Sequence, residues 1–121
     1  MGIRLTKPWI EWSPDRMAAI PAQLGVFELA GPDDSARYVG YGGGLDRFGL
    51  RSAIADAVTA RPELGITAFR YEITHAYRSR HAELLMVHLA DSGKVPIGNA
   101  GDSGPVGRLR PGSSGRTGRI A

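Results

Sequence analysis

No cysteine occurs anywhere in the 121 residues, which excludes disulfides, thiolate catalysis and cysteine-based zinc sites. No uninterrupted apolar run approaches the ~20 residues that a membrane span requires. The amino terminus also lacks a basic-then-apolar signal pattern, because Arg4, Lys7, Glu11 and Asp15 are interleaved with Trp9 and Trp12. Over most of its length the chain has no excess of either charge. Residues 1–100 carry 11 Lys/Arg against 11 Asp/Glu, so the net charge of +3 comes from Arg108, Arg110, Arg116 and Arg119 set against Asp102. Such a tail attracts phosphate backbones without sequence preference, whereas the body has no comparable pull. With neither a redox marker nor a leader to read, a cytoplasmic location is the default expectation.

What is present is a globular composition, 42% apolar and 22% charged, with room for one domain and one core. Pro8, Pro14 and Pro21 divide residues 1–21 into an arm without a long helix. Within it, Ser13 is placed to cap a short turn that has Pro14 at its first position. Gln23 to Ala30 and Arg37 to Tyr41 read as a hairpin, with Val26, Glu28 and Ala30 on one face and Phe27 and Leu29 on the other. Gly31-Pro32-Asp33-Asp34-Ser35 supplies its turn, and Gly42-Gly43-Gly44 releases the chain from the sheet. Leu50, Ile54, Ala57 and Val58 mark a helix over residues 45–60 that ends at Arg61-Pro62. Thr67 to His75 alternates as a strand, Phe69, Tyr71 and Ile73 opposing Ala68, Arg70, Glu72 and Thr74. Ser79 then reads as the N-cap of a helix through Ala90, with Ala82, Leu85, Met86 and Leu89 as its apolar face. That start puts Glu83 in the first turn, where a helix dipole favours a carboxylate. His75, His81 and His88 have no acids at ligand spacing and read as core or surface residues rather than a zinc site.

The expected architecture is a small α/β (α+β) domain of order β-β-α-β-α, an antiparallel sheet of about three strands flanked by helices. It divides into an arm over 1–21, a domain over 22–100 and a Gly/Arg-rich disordered tail over 101–121.

Gly25-Val26-Phe27 followed by Tyr38-Val39-Gly40 resembles the paired motif that names the GIY-YIG nuclease superfamily. Arg51 in the first helix, Glu83 in the second and Asn99 after it agree with that family in order and spacing. The resemblance spans roughly residues 22 to 100. It implies a metal-dependent DNA endonuclease in which Glu83 holds one Mg²⁺ (or Mn²⁺), a cation that keeps most of its waters. Arg51, or Arg47 in an alternative register, would clamp the phosphate. Tyr38 would position or deprotonate the attacking water, and Asn99 would complete the site. Arg47, Arg78 and Arg80 are the candidates for nucleic-acid contacts.

Two positions depart from the family pattern. Phe27 stands where the family has an active-site tyrosine and lacks a proton-handling atom, and Ala55 stands where a histidine often follows the helix arginine. Tyr41 lies an odd number of residues from Tyr38, so a regular strand points it to the opposite face. Three readings follow: a GIY-YIG-type endonuclease, a GIY-YIG-like nucleic-acid-binding or accessory domain without cleavage, and a protein-interaction domain using the Trp9/Trp12 arm. In each, a protein partner that supplies targeting fits a body without a basic face.

Overall fold

The computed structural model describes residues 3–100; the tail expected over 101–121 lies outside them. The elements are β1 (Ile10–Glu11), α1 (Pro14–Ala18), β2 (Gly25–Ala30), β3 (Ala36–Gly42), α2 (Leu50–Ala60), β4 (Ala68–Ile73) and α3 (Tyr77–Ser92), with short 3₁₀ turns at Pro62–Leu64 and Ile97–Asn99. They form a four-stranded antiparallel sheet of order β1-β4-β2-β3 and three helices, the α+β class expected. The fourth strand was not foreseen. It comes from the arm, where Ile10 and Glu11 pair with Phe69 and Ala68.

Alternation along the strands divides the core between two faces. Phe27, Leu29 and Phe69 pack with Leu50, Ala53, Ile54 and Ala57 of α2 and with Ile20. On the other face Val26 and Val39 pack with Leu84 and Leu85 of α3 and with Leu5. Each of the large apolar side chains contributes about 1.5–3 kcal/mol by leaving water. The arm is therefore part of the domain. Trp12 meets Phe69 edge-on at 5.7 Å, Trp9 lies under the Arg70 guanidinium at 3.9 Å, and the Ser13 cap forms as expected, its Oγ accepting from Arg16 N.

Glu28 is the exception among these strand residues. It is buried at 1% exposure and meets Arg70, its partner in register on β4, at 2.7 Å. His88 of α3 donates to its other oxygen at 2.7 Å.

Both helices begin differently from expectation. Residues 45–49 are a turn, and α2 starts only at Leu50, whose N–H donates to Gln23 O at 2.8 Å. Gly49 sits at φ +54, a left-handed backbone that suits glycine and breaks the helix before it. α3 starts at Tyr77 rather than after Ser79, and the Ser79 hydroxyl donates back to Ala76 O. Glu83 is consequently one turn further in than the dipole argument required. Met86 is exposed, and the face that α3 buries is Leu84 and Leu85, flanked by His81 and His88. Among the described residues no helix is long and apolar enough to cross a membrane.

Candidate functional site

A cleft of about 850 Å³ opens around the β3 edge of the sheet, between α2, the turn that follows β3 and the start of α3. Its floor is built from small residues. Ala53, Ala57 and Ala60 of α2 and Gly40 of β3 leave room that larger side chains would fill. Gly40 also admits the Phe27 ring, since a Cβ there would run into Phe27 Cζ and lie 2.8 Å from Tyr38 Cε2.

Strand alternation places the Tyr38 ring on the α2 side of β3 and the Tyr41 ring on the α3 side, and both line the cleft. Arg61, immediately after α2, covers the Tyr38 ring with its guanidinium 4.2 Å from the ring centre. Tyr41 lies 5.3 Å from Tyr77 at 32° and 5.1 Å from His81 at 76°. Arg78 stands 5.9 Å from the Tyr41 ring and 5.8 Å from the Tyr77 ring. Cation–ring pairs at such distances are attractive, more so where water is excluded. His81 Nε2 donates to Val39 O at 3.2 Å, which fixes the ring at the cleft wall.

The turn closing the cleft is held by its own hydrogen bonds. Gly43 N donates to Asp46 Oδ2 at 2.8 Å, and Gly44 N donates to the Tyr77 hydroxyl at 3.3 Å. That backbone bond, followed by Arg78, lowers the Tyr77 phenol from its ordinary range. A smaller hollow of about 240 Å³ continues past the turn and is lined by Arg47 and His75.

The residues expected from the sequence are divided by this geometry. Tyr38 and Arg78 line the cleft, and Arg47 lines the adjoining hollow. Arg51, Glu83, Asn99 and Arg80 line neither. Arg51 Nε donates to Ile20 O at 2.8 Å and ties the segment before β2 to α2. Arg80 bridges Glu72 at 3.1 Å and Glu83 at 2.6 Å and also donates to Ile3 O. Burial acts to lower the Arg80 guanidinium, but its bonds to Glu72 and Glu83 outweigh this and hold it above its ordinary value. Asn99 is 2% exposed. Its Oδ1 accepts from Val39 N at 2.8 Å and its Nδ2 donates to Val39 O at 2.9 Å, so both ends of the amide are used on one strand residue.

Arg61 and Tyr77 belong to the cleft without having been singled out. Arg61 had a signal only as the residue before a proline, and Tyr77 lay outside the expected helix. Among the described residues no group of three or more His, Asp or Glu is gathered to hold a metal ion.

Residues 3–91 match the family model DUF7508, described as a domain of unknown function. No curated protein and no solved structure matches the chain. The matched span runs from the arm to the last turn of α3 and so includes every element that builds the cleft. The chain belongs to the DUF7508 family.

Proposed function

We propose that this domain binds a DNA strand in the aromatic and arginine-lined cleft, as a GIY-YIG-like module in which binding rather than cleavage is the primary activity. One observation carries the reading: Arg61 lies over Tyr38, and Arg78 stands beside Tyr41 and Tyr77, in a single cleft. Rings of this kind stack on bases whatever their identity, at about 1–3 kcal/mol per base, while guanidiniums meet the phosphates. The cations available along the path are Arg47, Arg61 and Arg78, with Asp46 and Asp56 also at its wall. Three phosphate contacts on a single strand correspond to a slope of about −2 in log K against log salt.

Phosphodiester hydrolysis is a second reading, favoured by the lowered Tyr77 phenol, which stands in the cleft where Phe27 has no hydroxyl. A metal ion would supply charge stabilisation to the phosphate in that reading. The side chain that the resemblance assigns to it does not fit this cleft. Glu83 is paired with Arg80 and is not among the lining residues, so a Mg²⁺ or Mn²⁺ role for it requires a rearrangement that brings its carboxylate to the cleft.

Fluorescence anisotropy with a labelled single-stranded oligonucleotide tests the proposal at about 50 and 200 mM salt. Binding is expected with the stated slope, weakened about tenfold by Arg61→Ala, which corresponds to ~1.4 kcal/mol. Binding that ignores salt, or none at low salt, refutes it. A plasmid-nicking arm with Mg²⁺ or Mn²⁺ decides the second reading: nicking abolished by both Tyr77→Phe and Glu83→Ala supports hydrolysis, and binding without nicking removes it.

A further inference from the structure

Leu45 is 99% exposed, and it stands at the rim of the cleft that it helps to line. An exposed leucine is ordinary on a mobile loop, but this one is mounted on a braced turn. Asp46 N donates to Gly43 O, and Gly49 N donates to Asp46 O, each at 3.1 Å. The Asp46 carboxylate accepts from Gly43 N. Phe48 N donates to Ser52 Oγ at 3.0 Å, and Gly44 N is held by the Tyr77 hydroxyl. Little conformational freedom is left for an encounter to remove. Glycines 42, 43 and 49 let the turn seat closely against Leu50, Tyr77 and Gln23, while Gly44, just before the leucine, faces open space.

We propose that Leu45 is a wedge that inserts between stacked bases and delivers the freed strand to the cleft behind it. The inference rests on the nucleic-acid reading of that cleft and deepens it by naming the substrate: duplex DNA at a weakly stacked step or a single-strand junction. Architectural proteins that open a base step use one protruding apolar side chain supported by cations. The same arrangement occurs here. Arg47 follows on the tip, its guanidinium 5.3 Å from the Phe48 ring, while Arg61 and Arg78 lie in the cleft behind the leucine. A protein-binding surface calls instead for a contiguous apolar patch. The neighbours that follow Leu45 are charged Asp46 and Arg47, which separate it along the turn from Phe48, itself 46% exposed. The rings that would receive an unstacked base, Tyr41 and Tyr77, line the cleft together with Leu45, and Arg61, lying over Tyr38, stands among them.

The test uses the full chain and a DNA duplex with 2-aminopurine beside a single-strand junction, a base whose fluorescence rises when it unstacks. Single-strand affinity is measured in parallel by anisotropy. The native chain is expected to raise the fluorescence severalfold. Leu45→Ser is expected to lose at least four-fifths of that rise, a larger fractional loss than it shows in single-strand affinity, and Leu45→Phe to retain it. A rise unchanged by Leu45→Ser overturns the wedge, as does single-strand binding by the native chain with no rise at the junction. Equal loss of single-strand and junction binding in Leu45→Ser also overturns it, making Leu45 a general contact. Absence of all DNA binding by the native chain fails the cleft reading itself, and the wedge with it.

Discussion

Removing the buried carboxylate of Glu28 should cost the fold more than removing any charge at the surface. At 1% exposure, Glu28 Oε1 accepts from Arg70 Nε at 2.9 Å, and Oε2 accepts from His88 at 2.7 Å. Arg70 in turn covers Trp9 and donates to Lys7 O, so one carboxylate ties β2, β4, α3 and the arm together. Breaking a fully buried ion pair from one side costs about 3–5 kcal/mol. Here the partners keep 19% and 22% of their side-chain exposure and can be partly rewetted, so the lower end applies. Glu28→Ala is expected to cost about 3 kcal/mol. At about 4 °C or more per kcal/mol for a domain of this size, the melting temperature should fall by at least ~12 °C. Glu28→Gln keeps an acceptor and should lose about half as much. Urea unfolding followed by circular dichroism gives the free energies, and Trp fluorescence in a Trp12→Phe background follows the Trp9 contact separately. A double-mutant cycle with Arg70→Ala isolates the pair. A loss below about 1 kcal/mol in Glu28→Ala, or strict additivity in the cycle, would refute the reasoning.

Two further substitutions probe the cleft's frame. Asn99→Ala orphans the Val39 N–H and leaves its C=O without the amide donor; it should cost about 2–3 kcal/mol in the same urea assay. Protein that remains folded should bind the oligonucleotide as before, and a selective loss of binding would show that Asn99 acts at the cleft instead. Gly40→Ala drives a methyl into Phe27 and Tyr38. It should cost about 1–3 kcal/mol in thermal denaturation, and a neutral result would mean the Phe27 ring moves freely.

The strands were legible because their signal is local. Phe27, Leu29, Phe69 and Tyr71 alternate with Val26, Glu28, Arg70 and Glu72, and the sheet uses those faces. β1 was not, since two residues carry no period and their partner lies on β4, far along the chain. The inner face of α3 was misread for a chemical reason. His81 and His88 occupy it because Val39 O and Glu28 satisfy them, and two polar side chains erase the apolar stripe that Met86 then imitates from outside. Glu28 did carry a signal, a lone acid in the apolar run Gly25 to Ala30. Its partners are 42 and 60 residues away. The cleft was half legible: Tyr38 and Arg78 were named, but Arg61 and Tyr77 join them only through packing of the end of α2 and the start of α3 against β3.

The Val39–Asn99 bonds have a consequence for how this domain meets other copies of itself. A sheet of order β1-β4-β2-β3 has two edges at which a foreign strand can add. On β3 the Asn99 amide already supplies the donor and the acceptor that an incoming strand would offer to Val39. On the opposite side β1 is only two residues long, too short a template to recruit a neighbour. A strand adding along β3 would therefore have to displace Asn99 from Val39, so the open cleft beside β3 sits next to a sheet position whose outward backbone groups are already engaged.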